Sequence, residues 1–306
     1  MSYAVPSGSH SSRDAVPDHP PSQFLVRFWG VRGNIPTPGP DTVRYGGNTA
    51  CVEVQVADQR LIFDGGTGLR SLGLQLAQQD RPVEAHLFFT HTHWDRIQGF
   101  PFFHPAFDAD SHLHIYGATA LNGASIKQRL TEQMLRPNFF KPLQAMTADL
   151  AFHTIQPGSH LKIGDVSIDT VSLNPHTAAL GYRVTWQGKS MVYASDTDPD
   201  AAVADPNLLF LAAAADLLIF DGTYLDMAYA DLQSHHQAPW EMGVEIAKAS
   251  GVKRLLLFHH NPCHSDSYLA QLEGHIQAAF PQAALAQEGM IIDLLQGGSP
   301  QPTDPG

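Results

Sequence analysis

The segment HTHWDR at 91–96 places two histidines and an aspartate at alternate positions and then an arginine. Zinc-like cations bind imidazole nitrogens and carboxylate oxygens, and catalytic sites leave one position open for water. His91, His93 and Asp95 therefore indicate a metal site if the loop curls around an ion. Arg96 does not fit such a site as a ligand, because a guanidinium has no lone pair to offer. The segment alone leaves open a metal centre, an altered metal centre or neither.

Other polar residues stand where predicted strands end. Asp64 follows RLIF, Asp196 follows MVYAS, His259 follows RLLLF, and His176 lies in NPHTAALGYR. A strand end followed by a loop lets a rigid sheet present side chains to a shared cleft. Together with HTHWD, these positions indicate a metal-dependent hydrolase, in which metal-bound hydroxide is the nucleophile near neutral pH.

The elements that must position these residues are strands followed by covering helices. FLVRFWGV and ACVEVQV predict strands, and GLRSLGLQLAQQD and PWEMGVEIAKASG have helical spacing. Hairpin-like strand pairs dominate, which favours an α/β fold with two sheets over a parallel doubly wound sheet. We predict one domain at 24–296, a disordered tail at 1–23 and a flexible tail at 297–306.

Composition limits the classes of function. The 306 residues carry a formal charge of −12, which argues against broad nucleic-acid or anionic-membrane binding. Two cysteines make no disulfide framework, the first residues lack an apolar leader, and the longest apolar run, at 208–220, is too short for a bilayer. These features predict a cytoplasmic protein without membrane association.

Motifs over nearly all of 24–295 resemble the metallo-β-lactamase-fold hydrolases, in particular their small phosphodiesterase-like members. The matching segments are, in order, FWGVRGNIPTPGPDTVRYGGNT, FDGGTG, THTHWDRIQGFPFF, LGYRV, YASDTD and LLLFHHNPCHSD. The resemblance implies an αββα sandwich of two mixed β-sheets flanked by helices, with the site at one edge.

The resemblance also implies a two-metal site built from six side chains. They are His91 and His93 for the first metal, Asp95 and His259 for the second, Asp196 bridging both, and Asp64 steadying the histidine loop. His236 precedes the helix PWEM, where relatives often carry a histidine that touches substrate, although the spacing here differs.

Two positions depart from the family pattern. Arg96 stands where the family has a histidine, and Pro175-His176 reverses the family's His-Pro order. The slip leaves two alternatives for His176, which either still reaches a metal or points elsewhere. Asp95 is either a ligand or the ion-pair partner of Arg96. We predict one ion, Zn²⁺ before Mn²⁺ or Fe²⁺, with Arg96 in place of the second.

Two main hypotheses of function follow, and the acidic charge balance weakens a third, RNA processing as in some relatives. In the first, the protein is a metal-dependent hydrolase of a small phosphodiester or related ester, with no nucleic-acid partner. Arg96 then binds phosphate oxygens, and Asp95 or Asp196 orients the nucleophile. In the second, both departures mark a catalytically inactive relative that acts as a binding or assembly protein. A homodimer or a protein partner stays open in either case.

Overall fold

Two mixed β-sheets form the centre of the computed structural model, which describes residues 23–79, 81–197, 205–222 and 239–296. The first sheet has seven strands in the spatial order 14-1-2-3-4-5-6. They are β1 (Phe24–Gly30), β2 (Cys51–Val56), β3 (Gln59–Phe63), β4 (Glu84–Phe88), β5 (His112–Gly117), β6 (Asp149–Thr154) and β14 (Ile291–Asp293).

The second sheet also has seven strands, in the spatial order 13-12-11-10-9-8-7. They are β7 (His160–Ile163), β8 (Val166–Asn174), β9 (Ala179–Trp186), β10 (Lys189–Ala194), β11 (Leu217–Asp221), β12 (Leu255–Phe258) and β13 (Ala283–Leu285). The described helices are α1 (Gly68–Ala77), α2 (Trp94–Ile97), α3 (Ile126–Gln133), α4 (Pro206–Ala212), α5 (Pro239–Ser250) and α6 (Asp266–Ala279).

Each sheet is half antiparallel and half parallel. In the first sheet, β14 to β3 pair antiparallel and β3 to β6 pair parallel. In the second, β13 to β10 pair parallel and β10 to β7 pair antiparallel. The carboxyl ends of parallel strands meet at one edge of a sheet, so the loops after β3, β4, β10, β11 and β12 can converge.

Apolar side chains fill the space between the sheets, and helices cover their outer faces. Phe63, Phe88, Tyr182, Tyr193 and Phe258 belong to the inter-sheet core and are fully buried. Helices α1 and α3 pack on the first sheet, and α4 to α6 pack on the second. This arrangement confirms the predicted αββα sandwich of two mixed sheets.

The two faces of strand β1 differ in burial: one face is buried and the other is half-buried. Its burial alternates strictly from Phe24 to Gly30, with Phe24, Val26 and Phe28 buried towards the inter-sheet core. The tails predicted at 1–23 and 297–306 lie, except for Gln23, outside the described residues. Among the helices described, none is long and apolar enough to cross a membrane.

Candidate metal centre

Three of the predicted ligands lie together at the edge of the sandwich. Ligand atoms of His91, His93 and Asp196 all fall within 4.8 Å of one another, and the Nε2 atom of His91 is 3.8 Å from Oδ2 of Asp196. The loop after β4 supplies both histidines, and the loop after β10 supplies the aspartate. The two sheets therefore contribute to a single His-His-Asp group.

The hydrogen bonds around His91 fix which ring nitrogen is free. The Thr90 hydroxyl lies 2.9 Å and 3.0 Å from the two carboxylate oxygens of Asp64, and 3.0 Å from Nδ1 of His91. The hydroxyl has one proton, which it donates to the carboxylate, so it accepts a hydrogen bond from Nδ1–H of His91. The Nε2 atom then carries the lone pair, as a metal ligand requires.

This Nε2 atom is buried and has no hydrogen-bond partner among the described residues. Burial, followed by the charge of Arg96, holds the pKa of His91 well below its usual range, so the imidazole is neutral. A neutral buried nitrogen without a partner is costly unless a cation or a water satisfies it. The His91, His93 and Asp196 group therefore fits a metal ion.

The guanidinium of Arg96 lies among buried carboxylates, one of which is Asp95, a predicted ligand of the second metal. This side chain is 0% exposed, and its nitrogens lie 3.1 Å from Oδ2 of Asp64, 3.3 Å from Oδ2 of Asp95 and 3.3 Å from Oδ2 of Asp221. The hydroxyl of Tyr193 is 3.4 Å from Nη1. One buried cation thus holds three buried carboxylates together.

Both ring nitrogens of His259 are engaged in the same network. Its Nε2 atom is 2.9 Å from Oδ2 of Asp95, and its Nδ1 atom is 3.1 Å from Oδ1 of Asp221. Asp95 also accepts a hydrogen bond from the backbone N–H of Asn34 at 3.3 Å. Asp95 thus forms the ion pair with Arg96 that was one of its two predicted roles.

The buried location of Arg96 does not suit the predicted contact with substrate phosphate. Asp64, Asp95 and Asp221 surround the guanidinium, and the ring of Phe258 lies 5.6 Å from its central carbon. No part of the side chain is exposed. In this arrangement Arg96 can act on the site only through the carboxylates that it holds.

Charges in this network stabilise one another against burial. Burial alone would raise the pKa of Asp95, but Arg96 and the hydrogen bond from His259 lower it below its usual value. Burial alone would lower the pKa of Arg96, but Asp95 and Asp64 raise it above its usual value. Burial raises the pKa of Asp64, and Arg96 opposes that shift. Arg96 therefore keeps its charge at neutral pH.

Three site residues have left-handed backbone conformations, which non-glycine residues seldom adopt. The φ angles are 59° at Asp64, 60° at Asp196 and 62° at His259. Each residue comes within two positions of the end of a strand, β3, β10 or β12 respectively. Strain of this kind concentrates at functional sites, where the surrounding structure holds it in place.

One other predicted site residue, His176, lies outside the cluster. His176 is exposed in the loop between β8 and β9, and its backbone N–H donates to the side chain of Asn174 at 2.9 Å. His176 is not part of the His91, His93 and Asp196 group. His236, predicted to bind substrate, lies outside the described residues.

Three residues at the site were not among those predicted. Asp221, at the end of β11, accepts hydrogen bonds at 3.1 Å from the Ser195 hydroxyl and from the backbone N–H of Asp196. Tyr193 donates to Asp64 at 2.9 Å, and the hydroxyl of Thr177 donates to Asp196. Asp221 links the Asp196 loop to Arg96 and His259. Its signal in the sequence is a buried strand ending in Asp-Gly, as at Asp64.

Close packing of glycines holds the histidine loop against the loop after β3. The backbone N–H of Gly99 donates to the carbonyl of Gly65 at 2.8 Å, and a Cβ atom at Gly99 would lie 1.9 Å from the carbonyl oxygen of Gly66. We expect Gly99→Ala to lower the free energy of unfolding by about 1–3 kcal/mol, because the two loops must separate. Denaturant unfolding measures this change.

Gly274 provides the matched control. It lies inside α6, and a Cβ atom there would meet no atom within 4 Å. Gly274→Ala should stabilise the protein by about 0.5–1 kcal/mol, since alanine favours the helix. Equal stability of Gly99→Ala and the parent protein would show that the two loops are not held by this contact.

Comparison with known families defines the class of protein. Residues 59–260 match the family described as the beta-lactamase superfamily domain. The chain therefore belongs to this family, and its fold is that of the metallo-β-lactamase hydrolases. Membership and the His-His-Asp group together support metal dependence.

The chain is similar in sequence to several proteins named ribonuclease Z. The one from Gemmatimonas aurantiaca is 25% identical over 333 residues, covering 89% of this chain and 96% of that protein. The one from Pyrococcus horikoshii is 23% identical over 78% of this chain and 87% of that protein. The chain therefore spans nearly the full length of these relatives.

Solved structures show the same fold. The short form of human tRNase Z has a TM-score of 0.60 and 17% identity, covering 88% of this chain and 99% of that one. A diphosphatase from the PhnP family has a TM-score of 0.63 and 15% identity, covering 88% of this chain and 97% of that one. Such identities establish the likeness of fold alone.

The prediction that nucleic acid is not a partner is wrong, because the sequence relatives that the chain matches over most of its length are named ribonuclease Z. That prediction depended on the formal charge of −12. Net charge averages over the whole surface, whereas an RNA phosphodiester needs favourable charge only in the cleft where it binds. The net charge of the whole chain was therefore the wrong quantity from which to predict whether RNA binds.

Proposed function

We propose that this protein is a metal-dependent hydrolase of RNA phosphodiester bonds that uses one metal ion, held by His91, His93 and Asp196. The observation that carries this proposal is the buried Nε2 atom of His91, which has no hydrogen-bond partner in the described part of the chain and lies 3.8 Å from Oδ2 of Asp196. The names of the ribonuclease Z relatives support the substrate class. Zn²⁺ is the first ion to test, because it suits imidazole and carboxylate ligands.

Arg96 takes the place of the second ion in this proposal. Two unit charges about 4 Å apart interact by roughly 4 kcal/mol at an effective dielectric constant near 20, and a dication doubles that repulsion. A second metal beside the guanidinium would also have to break the bonds from Arg96 and His259 to Asp95. One cation at the histidines and one arginine behind them is the arrangement that these charges favour.

The residues of the chain then have distinct roles. When bound, an ion of this class supplies a water of lowered pKa as the nucleophile. Thr90 fixes the tautomer of His91, and Thr177 donates to Asp196, which orients that carboxylate. His93 is half-buried whereas His91 and Asp196 are buried, so in this proposal substrate approaches the cluster from the side of His93. Asp95 and Arg96 position the loop from behind.

A second candidate function is a binding or assembly protein that has lost catalysis. The engagement of Asp95 by Arg96, and of His259 by Asp95, favours this candidate, because both Asp95 and His259 would bind the second metal in relatives with two ions. In the first proposal the Nε2 atom of His91 binds a metal ion. In this second candidate it binds none and has no function.

Metal analysis of protein purified without chelator, combined with a nuclease assay, separates the two candidates. We expect about one ion per chain and cleavage of a precursor tRNA that EDTA abolishes and Zn²⁺ restores. A bis-aryl phosphate serves as a generic phosphodiester in a parallel assay. Protein without bound metal and without activity towards either substrate would support the binding protein instead.

A further inference from the structure

A cavity of about 760 Å³ opens beside the histidine loop. Its lining includes the aromatic residues Trp94, Phe102 and Phe139. Trp94 directly follows His93 in the chain, so the cavity and the proposed metal centre share one short loop. A ligand held here would lie next to the metal centre.

The aromatic rings of this cavity are unusually exposed for their size. Trp94 is 62% exposed and Phe102 is 51% exposed, and the ring of Phe102 meets that of Phe139 edge to face at 5.5 Å. Large aromatic side chains are normally buried or used in binding. Neighbouring rings with free faces are the surfaces on which nucleobases stack in proteins that bind single-stranded nucleic acid.

Polar groups around the rings match a nucleotide better than a purely apolar ligand. Arg70 is exposed, and no described residue forms an ion pair or hydrogen bond with its side chain. The amide nitrogen of Gln133 has no hydrogen-bond partner among the described residues. A free guanidinium suits a phosphate, and a free amide suits the edge of a base.

The geometry points to a base-binding site, in which Trp94 and Phe102 stack against a nucleobase next to the scissile phosphate of the RNA. Arg70 contacts a neighbouring phosphate of the same strand. This inference rests on the proposed function for the class of substrate. It adds that unpaired nucleotides are bound through their bases as well as through their backbone.

Calorimetric titration of the full-length protein as purified tests the site without measuring turnover. The probes are a four-nucleotide oligoadenylate with phosphorothioate linkages, which slow hydrolysis, and an abasic oligomer of the same length and linkage. We expect the oligoadenylate to bind at least about tenfold more tightly, as the loss of a base stack implies. Trp94→Ala should remove most of this difference, and Trp94→Phe should retain most of it.

Leu121→Ala is the matched control, because Leu121 is 67% exposed and does not line the cavity. It should leave both affinities unchanged. Equal binding of the two oligomers, or unaltered binding by Trp94→Ala, overturns the inference. Sedimentation of the same variants tests whether the cavity is instead a contact between subunits. If the parent protein is a dimer and Trp94→Ala is a monomer, the cavity is a subunit contact and the inference is overturned. Base-dependent binding of the oligoadenylate, together with no cleavage of the precursor tRNA by the metal-loaded protein, would instead contradict the proposed hydrolase and keep the base site.

Discussion

Replacing Arg96 with methionine is expected to lower the free energy of unfolding by about 3–5 kcal/mol, the cost of leaving buried charges without their partner. The guanidinium contacts Asp64, Asp95 and Asp221, and all three carboxylates are buried. Methionine fills much of the same volume but supplies no charge. Chemical denaturation followed by circular dichroism measures the loss.

The Arg96→His variant tests whether a second metal ion can replace the positive charge of Arg96. Without metal this variant should be destabilised like Arg96→Met, because a neutral imidazole does not balance three carboxylates. With Zn²⁺ it should regain stability and bind close to two ions per chain, since Asp95 and His259 are released for a second metal. A ligand present at 100 times its dissociation constant adds about 2.7 kcal/mol of stability, which is well within reach of denaturation experiments.

Arg81→Met is the control for the loss of an arginine. Arg81 is exposed, and its guanidinium donates hydrogen bonds to the side chain of Gln79. Its replacement should change stability by less than about 0.5 kcal/mol. If Arg96→Met is equally mild, or if Arg96→His binds no additional ion, Arg96 is not the surrogate for a second cation.

Much of the fold follows from local sequence patterns. The buried run of β12 and the strict alternation of β1 identify strands, and short turns between them identify hairpins. Several polar residues that follow predicted strands contact one another in the structure: His91 lies near Asp196, and Arg96 links Asp64 to Asp95. Backbone topology alone brings His91 and Asp196 together from opposite sheets.

The direction of individual side chains is less accessible to sequence patterns. The type of residue at Arg96 shows that it cannot bind a metal, but a single helical turn at α2 can point a side chain towards the cleft or the core. Packing decides this, through Asp64 and Tyr193, which lie far apart in the sequence. Tyr193 itself follows the pattern of an ordinary core aromatic, so nothing local indicates its hydrogen bond to Asp64.

For Asp221, the sequence did contain a pattern that could have identified it as a site residue. The segment LLIFDG repeats the pattern of RLIFDG, a buried strand that ends in Asp-Gly, and both aspartates contact Arg96. The position of His176 had no such signal, because a loop can absorb a shift of one residue in several ways. Its exposure in the structure is a property of the β8–β9 connection.

His91→Ala should have the largest effect on activity. Its Nε2 atom is a buried lone pair with no hydrogen-bond partner among the described residues, so in the proposed function its loss removes a direct metal ligand. Loss of residues that merely orient metal ligands costs about 10–100-fold in metal affinity or activity. We therefore expect RNA cleavage to fall by at least about 100-fold, bound metal to fall towards zero, and the thermal stabilisation by Zn²⁺ to disappear.

His176→Ala is the matched comparison, because it removes the same chemical group from a position that the family pattern connects with metal binding. Since His176 is exposed and lies outside the His91, His93 and Asp196 group, bound metal and cleavage should stay within about twofold of the parent protein. Metal content by elemental analysis separates the two variants directly. The reverse result, with metal retained in His91→Ala and lost in His176→Ala, would mean that the ion is bound by the β8–β9 loop and not by the free nitrogen of His91.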